Sequence, residues 1–119
     1  MSDTAVLLVV KYGYHLEYTD VHGNKRVHGI PLRQAEELVV GRSDLADIVL
    51  GHETVSRQHA GLFFANGALY VRDFGSRNGT HIGDEQLEPH QETLLKPDTC
   101  VRFGELEVTL KLSRYTPGS

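Results

Sequence analysis

The chain of 119 residues holds one cysteine, Cys100, which excludes an internal disulfide and any multi-cysteine zinc module. No apolar run approaches the ~18 residues needed to cross a bilayer. The longest, Ala5 to Val10, has the length of a strand, and Asp3 precedes it where a secretory leader would carry basic charge. Basic residues are also in deficit, with 12 Lys+Arg against 16 Asp+Glu and a net charge of −4. Broad non-specific binding to nucleic acid needs a basic face that releases counterions, so that class of partner is not expected. Neither is a membrane. These absences lead to the expectation of a soluble, cytoplasmic domain.

What is present fits one modest core. Hydrophobic residues make up 39% of the chain and include five Tyr and four Phe, enough to exclude wholesale disorder at a mass of 13.3 kDa. We expect a single domain over residues 1–113 and a short disordered tail over 114–119. The seven histidines outnumber the charge deficit of four, so the sign of the net charge is soft just below neutral pH. Its distribution is more informative. Between Gly41 and Ile82 four arginines (42, 57, 72 and 77) balance four acids (44, 47, 53 and 73), and the acidity lies elsewhere.

Short strands separated by turns are expected throughout. The continuous run from Ala5 to Val10 reads as a strand buried on both faces. Tyr14 to Tyr18 and Lys25 to Ile30 flank the turn residues Thr19 to Asn24 and form a hairpin. Further strands are expected at Glu37–Gly41, Ala46–Leu50, His59–Ala65, Leu69–Asp73, Thr80–Ile82 and Cys100–Phe103. The alternating segment Glu105–Leu112 completes the set. Only Leu32 to Leu38 offers a helical turn or two. This density of strands and turns indicates an all-β sandwich or barrel.

The segment carrying chemistry begins with Gly41-Arg42 and continues through Val55-Ser56-Arg57-Gln58-His59 to Asp73-Phe74-Gly75-Ser76-Arg77-Asn78-Gly79-Thr80. Each cluster reads as a loop at a strand end. Together the loops carry three guanidinium groups (Arg42, Arg57, Arg77), two hydroxyls (Ser56, Ser76) and the Asn78 amide. Guanidinium groups supply bidentate charge-assisted bonds and hydroxyls short ones, a set suited to a tetrahedral oxyanion. At about 1.5–3 kcal/mol for each bond to a charged group, two or three of them plus peptide contacts give micromolar affinity.

In this order and spacing, the Gly-Arg, Asp-Ile-x-Leu, Ser-Arg-x-His and Asp-x-Gly-Ser-x-Asn-Gly-Thr motifs resemble the forkhead-associated (FHA) domain, a phosphothreonine-peptide recognition module. The resemblance covers most of the chain. It implies a β-sandwich of about eleven short strands with the ligand loops at one end, no catalysis and no cofactor. By the same resemblance Arg42 contacts phosphate, Ser56 donates its hydroxyl to a phosphate oxygen, and Asn78 bonds the ligand backbone. Arg57 and Arg77 are further contacts to peptide or phosphate, Arg77 standing where relatives often have Thr. Gly41, His59, Ser76, Gly79 and Thr80 brace the loops. Gly83-Asp84 replaces the Asn-Gly pair common in relatives, and the segment from Tyr12 to Pro31 is long for the family. The implied partner is a phosphothreonine protein modified by a Ser/Thr kinase.

Rival readings use the same residues. Ser56, His59 and Asp73 invite a hydrolase, but no nucleophile elbow accompanies them. Histidines 15, 22, 28, 52, 59, 81 and 90 lack metal-ligand spacing, so no metal is expected. A phosphate-independent interaction module, docking through a sheet face or the hairpin, is the main alternative. Thr116 before Pro117 is a candidate for proline-directed phosphorylation.

Overall fold

The computed structural model describes residues 11–30 and 36–115. The run from Ala5 to Val10, Thr116 and most of the expected helical turn lie outside these residues. Eleven strands are described: β1 (Lys11–Thr19), β2 (Lys25–Ile30), β3 (Leu38–Gly41), β4 (Ile48–Val49), β5 (Ala60–Ala65), β6 (Ala68–Asp73), β7 (Thr80–Ile82), β8 (Glu85–Gln86), β9 (Thr93–Leu95), β10 (Cys100–Phe103) and β11 (Leu106–Tyr115). They form a six-stranded sheet, β2-β1-β11-β10-β7-β8, and a five-stranded sheet, β4-β3-β5-β6-β9. Among the described pairs only β3 and β4 run parallel. The architecture is the expected all-β sandwich.

Its core follows from alternation. Leu38 and Val40 of β3, Leu62 and Phe64 of β5, and Leu69 and Val71 of β6 point inward from one sheet. Leu16, Val101, Phe103, Val108 and Leu110 meet them from the other. At ~1.5–3 kcal/mol for each large apolar side chain buried, this cluster is the main stabilising contribution.

The β1–β2 hairpin is extended, as expected, and Asp20 closes its turn. Its Oδ1 accepts the His22 and Asn24 N–H groups, each at 2.9 Å, and its Oδ2 accepts Arg26 Nε at 2.9 Å. Gly83 occupies the β7–β8 turn with φ +61°, a backbone angle that the Asn-Gly pair of relatives would equally supply.

Three expectations need correction. Strand β11 continues to Tyr115, opposite Lys11, so the sheet includes Arg114 and Tyr115 that were assigned to the tail. Ladder bonds to β1 hold these residues without any alternation in side chains. Strands β8 and β9 were not expected. Both Glu85 and Gln86 face solvent, and β9 has a single fully buried residue, Leu95, so neither shows a period of two. Glu36 and Glu37 are not helical, and Leu38 belongs to β3.

Candidate functional site

Loops at the β3–β4, β4–β5 and β6–β7 connections meet at one end of the sandwich, and backbone bonds lock them to one another. The Arg42 N–H donates to the Ser56 carbonyl at 2.9 Å and the Ser43 N–H to the Arg57 carbonyl at 3.2 Å. Gly41 makes this approach possible. A Cβ there would stand 2.0 Å from the Arg57 carbonyl oxygen, far inside van der Waals contact. The Arg42 side chain is exposed, and its Nε donates to the Val55 carbonyl at 3.0 Å. One donor of the fork is thereby anchored, and the terminal nitrogens have no protein partner among the described residues.

Ser56 is the centre of the middle loop. Its Oγ accepts the Arg77 N–H at 3.1 Å, so its own proton is left for another acceptor. Its N–H donates to His59 Nδ1 at 3.0 Å. Because Nδ1 accepts, the proton of neutral His59 sits on Nε2, which donates to the Gly79 carbonyl at 2.9 Å. Gly79 O also accepts the Gly104 N–H at 2.9 Å. The His59 ring is fully buried and edge-on to Phe103, with centroids 5.6 Å apart. Burial lowers its pKa, with the Gly79 carbonyl and Asp73 opposing more weakly.

Asp73 organises the third loop. Its Oδ2 accepts the Gly75 and Ser76 N–H groups at 2.8 and 2.9 Å, and its Oδ1 accepts the Ser76 and Thr80 hydroxyls at 2.6 and 2.7 Å. Burial works against this charge, but the four bonds outweigh it and hold the carboxyl below the usual range. Ser76 Oγ then accepts the Gly79 N–H at 3.0 Å, closing the turn that carries Arg77 and Asn78. Asn78 donates through Nδ2 to the Thr54 carbonyl at 2.8 Å, which leaves its Oδ1 and second N–H toward solvent chemistry. Thr54 is itself held, since its Oγ1 accepts the Glu105 N–H at 2.8 Å.

All ten residues singled out from the sequence therefore lie on this one cluster of loops. Arg42, Arg57, Arg77 and Asn78 are exposed, and Ser56 is partly so, whereas Gly41, His59, Gly79 and Thr80 are buried beneath them. Sequence reasoning missed Thr54 and the carbonyl of Val55, for which no local pattern exists. It also included Asp73 in the Asp-x-Gly-Ser motif but gave it a role only in a hydrolase reading, although Asp three residues before Ser is a known turn-closing spacing. That hydrolase geometry is not formed. The bond between Ser56 and His59 uses the serine backbone, and His59 Nε2 is spent on a carbonyl. Among the described residues no group of three His, Cys, Asp or Glu is arranged to hold a metal ion.

The family model described as FHA domain matches residues 38–104, which span β3 to the β10–β11 turn and all three loops. The chain belongs to the FHA family. FHA domains are non-catalytic phosphothreonine-peptide-binding modules. Over 95 residues the chain is 32% identical to the human (Homo sapiens) "Nuclear inhibitor of protein phosphatase 1", covering 77% of this chain and 26% of that protein. It spans about a quarter or less of the length of the curated relatives it matches. Among solved structures, the FHA domain of a Chlamydia trachomatis protein superimposes with a TM-score of 0.71 at 25% identity, covering 83% of this chain and 96% of the other. Another, from work on phosphothreonine-dependent FHA domain interactions, gives 0.70 at 24% identity, covering 85% and 97%.

The comparisons overturn the expected cytoplasmic location, because the human, bovine and mouse relatives are nuclear proteins by name. The expectation rested on the lack of a leader and of a bilayer-length run. Those features separate secreted from non-secreted chains and carry no information that divides nucleus from cytoplasm.

Proposed function

We propose that Arg42, Ser56 and Asn78 of this FHA domain hold the phosphothreonine of a partner protein, with Arg57 and Arg77 adding charge beside it. One observation carries the reading: three loops distant in sequence share hydrogen bonds that leave a guanidinium, a hydroxyl proton and an amide edge exposed side by side. Arg42 offers the terminal nitrogens of its guanidinium, Ser56 its hydroxyl proton, and Asn78 an amide edge for peptide backbone. The module acts as an adaptor in an assembly regulated by a Ser/Thr kinase. The names of its relatives support a nuclear setting.

A phosphothreonine-peptide library with unphosphorylated controls tests this. Arg42→Ala removes two charge-assisted bonds of about 1.5–3 kcal/mol each, so affinity for the best phosphopeptide falls at least ~100-fold in calorimetry. Equal binding of phosphorylated and unphosphorylated peptides would reject the reading.

A further inference from the structure

The β4–β5 loop begins with a tight turn at His52, a half-buried residue outside the family motifs. Its N–H donates to the Leu50 carbonyl at 2.9 Å, and its carbonyl accepts the Val55 N–H at 3.0 Å. The imidazole folds back onto the same turn. His52 Nδ1 accepts the Thr54 N–H at 3.2 Å, the bond to a backbone group two residues on that Asp and Asn side chains commonly make. A backbone N–H can only donate, so Nδ1 carries no proton, and the Thr54 hydroxyl at 2.8 Å donates to it as well. Thr54 Oγ1, with its proton committed to His52, accepts the Glu105 N–H at 2.8 Å from the β10–β11 turn. Residue 104 must be small for that turn to come so close: a Cβ there would stand 2.4 Å from the Thr54 carbonyl oxygen. The Thr54 carbonyl in turn accepts Asn78 Nδ2 at 2.8 Å. Every polar group of Thr54 is thus engaged, and His52 holds two of them.

We infer that His52 is a positioning residue for peptide binding: it touches no ligand and fixes, through Thr54, the direction in which Asn78 presents its amide. The inference rests on the phosphothreonine reading above and extends it to a residue outside the ligand contacts. Asn78 is exposed, and an exposed amide samples several rotamers unless one of its groups is tied. The Thr54 carbonyl is that tie among the described residues. A carbonyl is held only as well as its residue, and the imidazole supplies the bonds on the Thr54 N–H and hydroxyl. The Val55 N–H bond to the His52 carbonyl involves backbone alone, so it survives loss of the side chain, and the Arg42 Nε anchor on the Val55 carbonyl survives with it. Removing the imidazole therefore acts on the peptide-backbone contact and spares the phosphate contact.

The test is calorimetry on the whole chain with the best phosphothreonine peptide of the library and its unphosphorylated form. His52→Ala should weaken phosphopeptide binding about three- to tenfold, the share of one hydrogen bond, while the preference for the phosphorylated peptide persists. His52→Asn keeps an acceptor at the place of Nδ1 and should bind within about twofold of the parent. A cycle with Asn78→Ala separates positioning from general loosening: in that background His52→Ala should cost less than about twofold, because the amide it orients is gone. His52→Gln, whose acceptor lies one bond farther out, takes the place of His52→Ala if the alanine variant melts below the assay temperature. Unchanged affinity in His52→Ala, failure of His52→Asn to restore binding, or additive losses with Asn78→Ala overturns the positioning role alone. Equal binding of the two peptides by the parent, or an Asn78→Ala variant that binds as the parent does, defeats the underlying reading instead.

Discussion

Replacing His59 with phenylalanine isolates the hydrogen bonds that join two ligand loops. Phenylalanine keeps a ring against Phe103 and is somewhat larger than histidine, so no cavity forms. Two bonds disappear. The Ser56 N–H loses its acceptor at 3.0 Å, and the Gly79 carbonyl loses one of two donors but keeps Gly104. Two net hydrogen bonds at about 1 kcal/mol each, plus the cost of an orphaned Ser56 N–H, give a loss of about 2–4 kcal/mol. For a domain of this size that lowers the melting temperature by about 10–15 °C at pH 7.5. The pH dependence carries a second signature. The unfolded chain takes up a proton at this residue near its ordinary pKa of 6.5, whereas burial makes the folded chain resist it. The unfolded state therefore binds more protons below that pH, and stability falls as the solution is acidified through 6.5. Protonated Nδ1 would also face the Ser56 N–H, donor against donor. The stability gap between wild type and His59→Phe should narrow from pH 7.5 to pH 5. Thermal melts across this range measure it. A melting temperature within about 3 °C of wild type, or a gap independent of pH, would refute the assignment of His59 as the neutral bridge between loops.

Other consequences concern the remaining loop contacts. Gly41→Ala sets a Cβ 2.0 Å from the Arg57 carbonyl oxygen, and the loops must separate to admit it. A loss of at least ~2 kcal/mol in chemical denaturation is expected, with weakened phosphopeptide binding, whereas unchanged stability would show that the approach is not required. Asp73→Asn places an amide where four donors converge and should cost about 2–4 kcal/mol. Because the Asp73 pKa is lowered in the folded state, its contribution is present above its ordinary value of 3.8 and is lost as pH falls through the folded value. The wild-type advantage over Asp73→Asn, followed by denaturation at pH 7 and then below pH 3.8, should shrink in acid.

Local pattern determined much of this protein. Short strand-like segments bounded by turn residues located β3, β5, β6, β7 and β10, and alternation of apolar residues located most of β11, since one face of it must leave water. The turn chemistry of Asp20 to Asn24 located the hairpin. Guanidinium, hydroxyl and amide groups concentrated in three loops identified the candidate site, because few residue types can hold an oxyanion. Strands without alternation stayed hidden: β8 is wholly exposed, β9 contributes one fully buried leucine, and the end of β11 is held by pairing with β1.

Tertiary structure alone decided how those loops act as one. Thr54 supports Asn78 from 24 residues away, Arg77 reaches Ser56 across 21, and His59 reaches Gly79 across 20. Each contact ends on a backbone carbonyl or N–H group, which nearly every residue type carries, so no side-chain pattern announces the partner. The close approach of Gly41 to Arg57 is equally invisible along the chain, because it depends on where the sheet brings two loops. Sequence chose the donors; packing of the sandwich chose which of them stay free.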